Sequence, residues 1–277
     1  MAYRRVLTIQ DISCVGQCSM AVALPILSAC GLEACLLPTA LLSTHTGGFG
    51  KPAVVHFDER LTEIWHHWKE CGITFDGILV GYLGSVQAVE TAGQILEELL
   101  APGGIAIVDP VMGDHGKLYS GFDETYVQAV KKLCAQADVL LPNETEVRLL
   151  SGRDDEEDPK RLLSALGCPC VVLTGVEEGP DAIGVHIWQE GQLSCHTHPR
   201  IPQNFHGTGD IFAAVLTGAL LQGRTLNQAA AAAADFTYRC IADTAANPAH
   251  WYGVKFEPLL PLLGELSGNP EKSWENY

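Results

Sequence analysis

The sequence predicts an α/β fold of three layers, in which a central, mainly parallel sheet is covered by helices on both faces. Three observations predict it. Short apolar segments alternate with longer segments of helical periodicity along almost the whole chain. The short segments, among them RVLTIQ, GILVGY, GIAIVD and CVVLT, are continuously apolar, as strands buried on both faces are. Polar residues gather where these strands end: Asp11, Tyr82, Asp109, Asn143 and Thr174 each close or directly follow one. In such sheets ligands collect at the carboxyl ends of the strands.

In order, Arg5 to Gln10 is a short buried strand, followed by a Gly/Ser/Cys turn and an apolar helix from Gln17 to Cys30. Glu33 to Leu37 is a second strand, and LLSTHTGGFG after it is a glycine-rich loop. Glu59 to Cys71 is amphipathic and helical. Gly77 to Tyr82 is a strand, Val86 to Leu100 a helix and Gly104 to Asp109 another strand. Further helices fall at Glu124 to Ala135, Glu144 to Leu150 and Pro159 to Leu166, with strands at Asp138 to Leu141 and Cys170 to Thr174. Two runs, AIGVHIW and LSCHTH, flank Gln189-Glu190-Gly191 and pair as a hairpin near the sheet edge. A buried helix follows His206, and the alanine-rich stretch from Leu226 to Ala242 packs closely against it. The polar tail, from about residue 265 to 277, is loosely held.

With 277 residues and no linker, the chain reads as one domain, 1–277. Apolar residues make up 47 %, enough for a large core, and the net charge of −16 disfavours nucleic acid and anionic membranes as partners. MAYRRVLTIQD enters a strand directly, without the apolar region of a signal peptide. No apolar stretch is long enough to span a bilayer. Ten cysteines in such a chain fit a reducing, cytoplasmic setting. Cys14 with Cys18, and Cys168 with Cys170, lack further ligand pairs and read as small core hydrophobes rather than zinc ligands.

The stretch HGTGDIFAAVLTGALL, from His206 to Leu221, carries the strongest chemical signal. Two glycines flank a threonine at the start of a buried helix, where unpaired backbone N–H groups and the helix dipole can hold a phosphate. Gly207 and Gly209 allow close backbone approach to an anion. Asp210 would repel a phosphate unless it points sideways, at a hydroxyl that loses its proton as it attacks a terminal phosphoryl group. The plain alternative is that Asp210 only caps the helix.

Other segments are weaker alone. Asp109-Pro110-Val111-Met112-Gly113-Asp114 follows a strand and runs into a loop with His115, Gly116 and Lys117. Asp109 can hold magnesium, directly or through water, and Lys117 can reach phosphate oxygens when the loop closes, although alone the segment reads as an ordinary Pro/Gly turn. Asn143 and Glu146 share a face at a helix start, where they can orient waters around magnesium or form a capping pair, or both. His45 and Thr46 lie in the glycine-bracketed loop. Neither a Walker A loop nor a G-x-G-x-x-G fingerprint is present, which disfavours P-loop NTPases and Rossmann dehydrogenases.

Together these pieces resemble the ribokinase superfamily and, within it, the pyridoxal kinase family. The matching residues are IQDISCVGQ, STHTGG (43–48), GYLGS (81–85), DPVMGD (109–114), PNETE (142–146), LTG (173–175) and GTGD (207–210), in family order over almost the whole chain. The resemblance implies a ribokinase-like kinase that moves the γ-phosphoryl group of ATP to the 5′-hydroxymethyl of a vitamin B6 vitamer. It implies Asp210 as general base and the amides of Gly207, Thr208 and Gly209 as an anion hole. Asp109, Asn143 and Glu146 would serve Mg2+, through water, and the phosphates. Asp114, Lys117 and Thr174, with the 112–122 loop, would cover the nucleotide. Asp11, His45, Thr46 and Tyr82 would line the pyridine pocket. Family members are cytoplasmic homodimers assisted by a monovalent cation, K+.

The chain departs from the family pattern at Asp11, where a serine is usual, at Leu141, which replaces a threonine, and at Gly175, which replaces a second hydroxyl. The last two would weaken ATP contacts. A carboxylate at Asp11 beside the ring favours a cationic substituent, hence pyridoxamine over pyridoxal. The nearest rival is a hydroxymethylpyrimidine kinase of thiamine synthesis, in which cysteine commonly follows G-T-G; Asp210 argues against it. A non-catalytic B6-binding protein would have no use for the base, anion hole and metal residues together.

Overall fold

The structure, a computed structural model, describes residues 3–247 and 249–267. Among the described residues, nine strands form one sheet in the order β11-β10-β9-β8-β5-β4-β1-β2-β3. These are β1 (Arg5–Ser13), β2 (Glu33–Leu42), β3 (Val54–His56), β4 (Phe75–Val80), β5 (Leu100–Val108), β8 (Val139–Leu140), β9 (Cys170–Glu177), β10 (Ala182–Gln189) and β11 (Gln192–Pro199). The strands from β9 through to β2 run parallel, and only β3, β10 and β11 are antiparallel to their neighbours. Two short strands, β6 (Gly113–Asp114) and β7 (Lys117–Leu118), form a separate hairpin.

The expected three layers are present. On one face lie α1 (Met20–Ala29), α7 (Thr208–Leu221) and α8 (Leu226–Ala245), and on the other α2 (Asp58–Glu70), α3 (Val86–Leu99), α4 (Glu124–Cys134), α5 (Glu144–Ser151) and α6 (Pro159–Ser164). Alternate side chains of each inner strand feed the two cores: Leu79 and Ile107 pack with the first helix set, Ile78, Val80 and Val108 with the second. The alanines of α8 do pack on α7, through Ala229, Ala230 and Ala233. Gly218 lets α7 meet α1 closely, since a Cβ there would stand 2.5 Å from Cys30 Sγ.

Several boundaries move for identifiable reasons. β1 continues to Ser13, because after a register shift between Gln10 and Ile12 it goes on pairing with β2 as far as Leu42. Asp11 is therefore inside the strand. Helix α1 begins at Met20 rather than Gln17, since Ser19 takes φ 53° and ψ −128°. Thr174 lies within β9, which continues to Glu177 beside β10. The hairpin turns at Glu190 and Gly191, both with positive φ (53° and 78°), as a type I′ turn requires. No helix is long and apolar enough to cross a membrane among the described residues. Much of the tail expected to be loose, from 268 on, lies outside them; Glu257–Ser267 before it is a 3-10 helix.

Candidate active site

The chain leaves β1 outward to β2 on one side, while β4 and β5 lie on the other, so the sheet has its switch point between β1 and β4. The groups gathered above that point are the ones the polar strand ends predict. A recess of about 360 Å³ at the other end of the strands, lined by Gly104, Asp138, Pro169, Gln189 and Leu226, contains none of them.

The GTGD turn is built from both sides. Gly207 is the N-cap of α7 with φ 85°, and a Cβ there would overlap the Gln17 carbonyl. No side chain caps α7, and Ile211 makes its first intrahelical bond, to the Gly207 carbonyl at 3.1 Å. The helix offers the amides of Gly207, Thr208 and Gly209 no acceptor, which leaves them available to an anion. Asp210 is thus not the cap. Its carboxylate accepts the backbone N–H of Ser19, and burial, with Asp11 adding to it, pushes its pKa up to about 6.

Ser19 joins two acids. Its hydroxyl bonds the Asp11 carboxylate, as does that of Ser13 at 3.3 Å. Asp11 is 4 % exposed, and burial raises its pKa despite those bonds. Tyr82 stands near enough for Asp11 to help raise its phenol, after burial.

On the opposite wall, Asp109 follows β5, and Glu146 lies in the first turn of α5. Burial, then Glu146 and Asp210, drive the Asp109 carboxyl well up. Glu146 is 2 % exposed and rises to about 7, chiefly through burial. Both of its oxygens are engaged: Oε1 accepts from Met112 N–H at 3.0 Å and Oε2 from Asn143 N–H at 2.9 Å. Asn143 Oδ1 accepts the Glu146 N–H at 3.0 Å, completing a capping box, while its Nδ2 donates to the Gly113 carbonyl at 2.8 Å. The capping role anticipated for this pair is therefore occupied, and it ties the DPVMGD segment to α5.

Above them the β6–β7 hairpin presents Asp114 and Lys117, paired across its strands and exposed. Thr174 Oγ1 donates to the Pro142 carbonyl at 3.4 Å, and Thr174 bridges Asn143. Thr46 is exposed, whereas His45 is 5 % exposed with both ring nitrogens engaged. Nδ1 accepts the Gly47 N–H at 3.0 Å, so Nε2 carries the proton it donates to the Tyr252 carbonyl at 2.8 Å. His45 therefore latches its loop to the C-terminal segment rather than offering a free nitrogen.

The comparisons agree with this architecture. A family model described as phosphomethylpyrimidine kinase matches residues 26–254. The chain is 32 % identical over 256 residues to a pyridoxine/pyridoxal/pyridoxamine kinase of Bordetella avium, covering 86 % of this chain and 85 % of the relative. It is 31 % identical over 228 residues to a pyridoxal kinase of Arabidopsis thaliana, covering 77 % and 73 %. The crystal structure of pyridoxal kinase from Lactobacillus plantarum superposes with a TM-score of 0.89 at 38 % identity, over 95 % of this chain and 97 % of that one. The chain belongs to the pyridoxal kinase family.

Two of this family member's departures have structural causes. Leu141 is 3 % exposed and packs in the α7–α8 core. Gly175 takes φ 70° with open space around it, so any side chain there would strain the bulge where β9 shifts register against β10. Sequence reasoning missed three hydroxyls. Thr145 Oγ1 accepts the Gly116 N–H at 2.8 Å and seats the β6–β7 hairpin. Tyr119 has its phenol raised by burial and then by Glu146, Asp114, Asp109 and Asp210. Ser19, ahead of a helix, reads as an ordinary cap, yet makes no cap bond; only its strained backbone separates the two roles.

Proposed function

We propose that this protein is an ATP-dependent kinase that phosphorylates the 5′-hydroxymethyl group of a vitamin B6 vitamer, within one domain spanning 1–277. The kinase activity and the B6 class of substrate follow from the pyridoxal kinase relatives that cover most of the chain. The observation that carries the mechanism is the placement of Asp210. It stands beside unsatisfied amides at the start of α7, with its pKa raised to about 6, close to neutrality as a general base should be.

In this reading the vitamer's hydroxyl transfers its proton to an Asp210 oxygen as its own oxygen bonds the γ-phosphorus and the bond to the β-phosphate oxygen breaks. The amides of Gly207, Thr208 and Gly209 accept the charge that spreads over the transferred group. Asp109 and Glu146, crowded and raised without a countercharge between them, are an all-oxygen donor set suited to Mg2+. Glu146 and Asn143 would act through water, since the Glu146 oxygens are already held by the backbone amides of Asn143, Met112 and Gly113. When bound, Mg2+ neutralises phosphate oxygens. Asp114, Lys117 and Thr174 border the nucleotide side, and Asp11, His45, Thr46 and Tyr82 the vitamer side, where His45 shapes the wall. A monovalent cation, K+, is part of the same proposal.

The buried Asp11 carboxylate supports a preference for pyridoxamine, whose ammonium it would attract. The terminal strand β3 exposes Val54 (42 %) and Val55 (54 %), an apolar edge that supports a homodimer. All ten cysteines are free, in keeping with a cytoplasmic setting. A coupled kinase assay with pyridoxal, pyridoxine, pyridoxamine and hydroxymethylpyrimidine tests the substrate class. Turnover of the pyrimidine alone would overturn it.

A further inference from the structure

The edge of the sheet opposite β3 carries a second group of ligand-type side chains, remote in the strand order from β1 and β4. His196 and His198 stand two apart on β11 and so project to one face, the face that α8 crosses. Asp235 of α8 meets them both. His196 Nε2 lies 2.8 Å and His198 Nε2 3.0 Å from the same oxygen, Asp235 Oδ1. One ligand atom from each residue falls within 4.8 Å of the others.

This convergence is incomplete as a hydrogen-bond network. His196 Nε2 hydrogen-bonds the carboxylate, while His198 Nε2 faces the same oxygen at 3.0 Å without the alignment of a good hydrogen bond. One carboxylate oxygen thus serves two ring nitrogens and is well aligned with only one of them. The ring is nonetheless held in place, stacked on Tyr238 at 4.7 Å between centroids and 7° between planes. Beside it Ser194 donates to Asn227 at 2.6 Å, a second tie between β11 and α8. A cation accepting both imidazole lone pairs and the carboxylate would satisfy all three groups at once. A tetrahedral ion with bonds of about 2.0 Å keeps its ligands about 3.3 Å apart, so the two nitrogen–oxygen distances need to open by only a few tenths of an ångström.

We propose that His196, His198 and Asp235 bind one first-row divalent cation of the zinc type, which clamps the edge strand β11 to α8 and keeps its remaining position for water. Two imidazoles and a carboxylate suit zinc, whereas Mg2+ prefers oxygen ligands and its own waters. The site is therefore chemically separate from the magnesium proposed at Asp109 and Glu146. Entry from solvent is open, since the side chains of His196 and Asp235 are 32 % and 49 % exposed.

The test is a titration of chelator-stripped, dialysed full-length protein with Zn2+ against a chromophoric competitor, alongside a Co2+ absorption spectrum. The expected result is one equivalent of Zn2+ per chain, four-coordinate Co2+ bands, and an unfolding midpoint raised by Zn2+. His198→Ala and the near-isosteric Asp235→Asn should each weaken Zn2+ binding at least about tenfold and abolish the midpoint shift. Circular dichroism establishes that the variants fold, and Asp235→Asn, which keeps shape and helix, carries the test if His198→Ala does not. Wild-type stoichiometry and affinity in a folded variant, or no binding by the wild type at about 0.1 mM Zn2+, would overturn the proposal.

Discussion

The backbone N–H of Ser19 donates to the Asp210 carboxylate, and it does so from a residue whose φ of 53° and ψ of −128° lie outside the regions that L-residues favour. The same residue turns its hydroxyl to Asp11 instead of capping its own helix. Local strain is thus accepted at a position that orients two acids.

Replacing Ser19 separates the strain from the hydroxyl. Ser19→Gly relieves the backbone and loses the bond to Asp11, while Ser19→Ala loses the bond and keeps the strain. The glycine variant should therefore be the more stable of the two by about 2 kcal/mol, beyond the roughly 1 kcal/mol that glycine ordinarily gains over alanine at an N-cap. Urea unfolding of both variants measures it; a gap no larger than that ordinary one would show that the backbone is not strained there.

Asp210 titrates with opposite consequences for stability and activity. Its pKa of about 6 in the folded protein lies above the ordinary 3.8, so the folded state binds the proton more tightly than the unfolded chain. The stability from that proton is complete below pH 3.8 and is lost as pH rises through about 6. Asp210→Asn, which can still accept from Ser19, should be more stable than the wild type by about 1–3 kcal/mol at pH 8 and equal to it near pH 3.5. Its kcat should fall by about 10²–10⁴-fold, and the wild-type acid limb near pH 6 should vanish. Calorimetry across pH with steady-state kinetics checks both; a variant less stable than the wild type at pH 8 would contradict the assignment.

Gly207 has two reasons to be glycine, its φ of 85° and the Gln17 carbonyl where a Cβ would sit. Backbone cannot move aside as a flexible side chain can. Gly207→Ala should cost about 2–4 kcal/mol and lower turnover by displacing the amides of the turn. Equal urea midpoints for variant and wild type would show that the turn is looser than this geometry.

Asp11 is the test of vitamer choice. Asp11→Ser removes a carboxylate that the Ser13 and Ser19 hydroxyls now share. The ratio of kcat/KM for pyridoxamine over pyridoxal should drop about tenfold, the effect of roughly 1.4 kcal/mol of lost charge attraction. An unchanged ratio retires the preference.

The alternation of apolar runs and amphipathic segments made the three layers legible, because burying strands on both faces leaves a compositional trace in every strand. The GTGD turn was legible for a related reason: close backbone approach demands glycine by type. What could not be read depends on where one group turns. β3 spans Val54–His56, too short to show a period, and the extension of β1 rests on a register shift that no pattern records. His45 was recognisable as unusual, yet only its two bonded ring nitrogens distinguish a latch from a ligand. The hydroxyls of Ser19, Thr145 and Tyr119 belong to residue types common in any loop, and their meaning comes entirely from partners far along the chain.

Because Asp109, Glu146 and Asp210 raise one another or are raised by the same burial, the cleft disfavours negative charge before any nucleotide arrives. A naked polyanion entering it would either be repelled or have to bring protons along. On the proposed function, free nucleotide should consequently be a poor visitor, and electroneutrality would have the triphosphate arrive escorted by its counterion, so that chelating the counterion should empty the cleft of both.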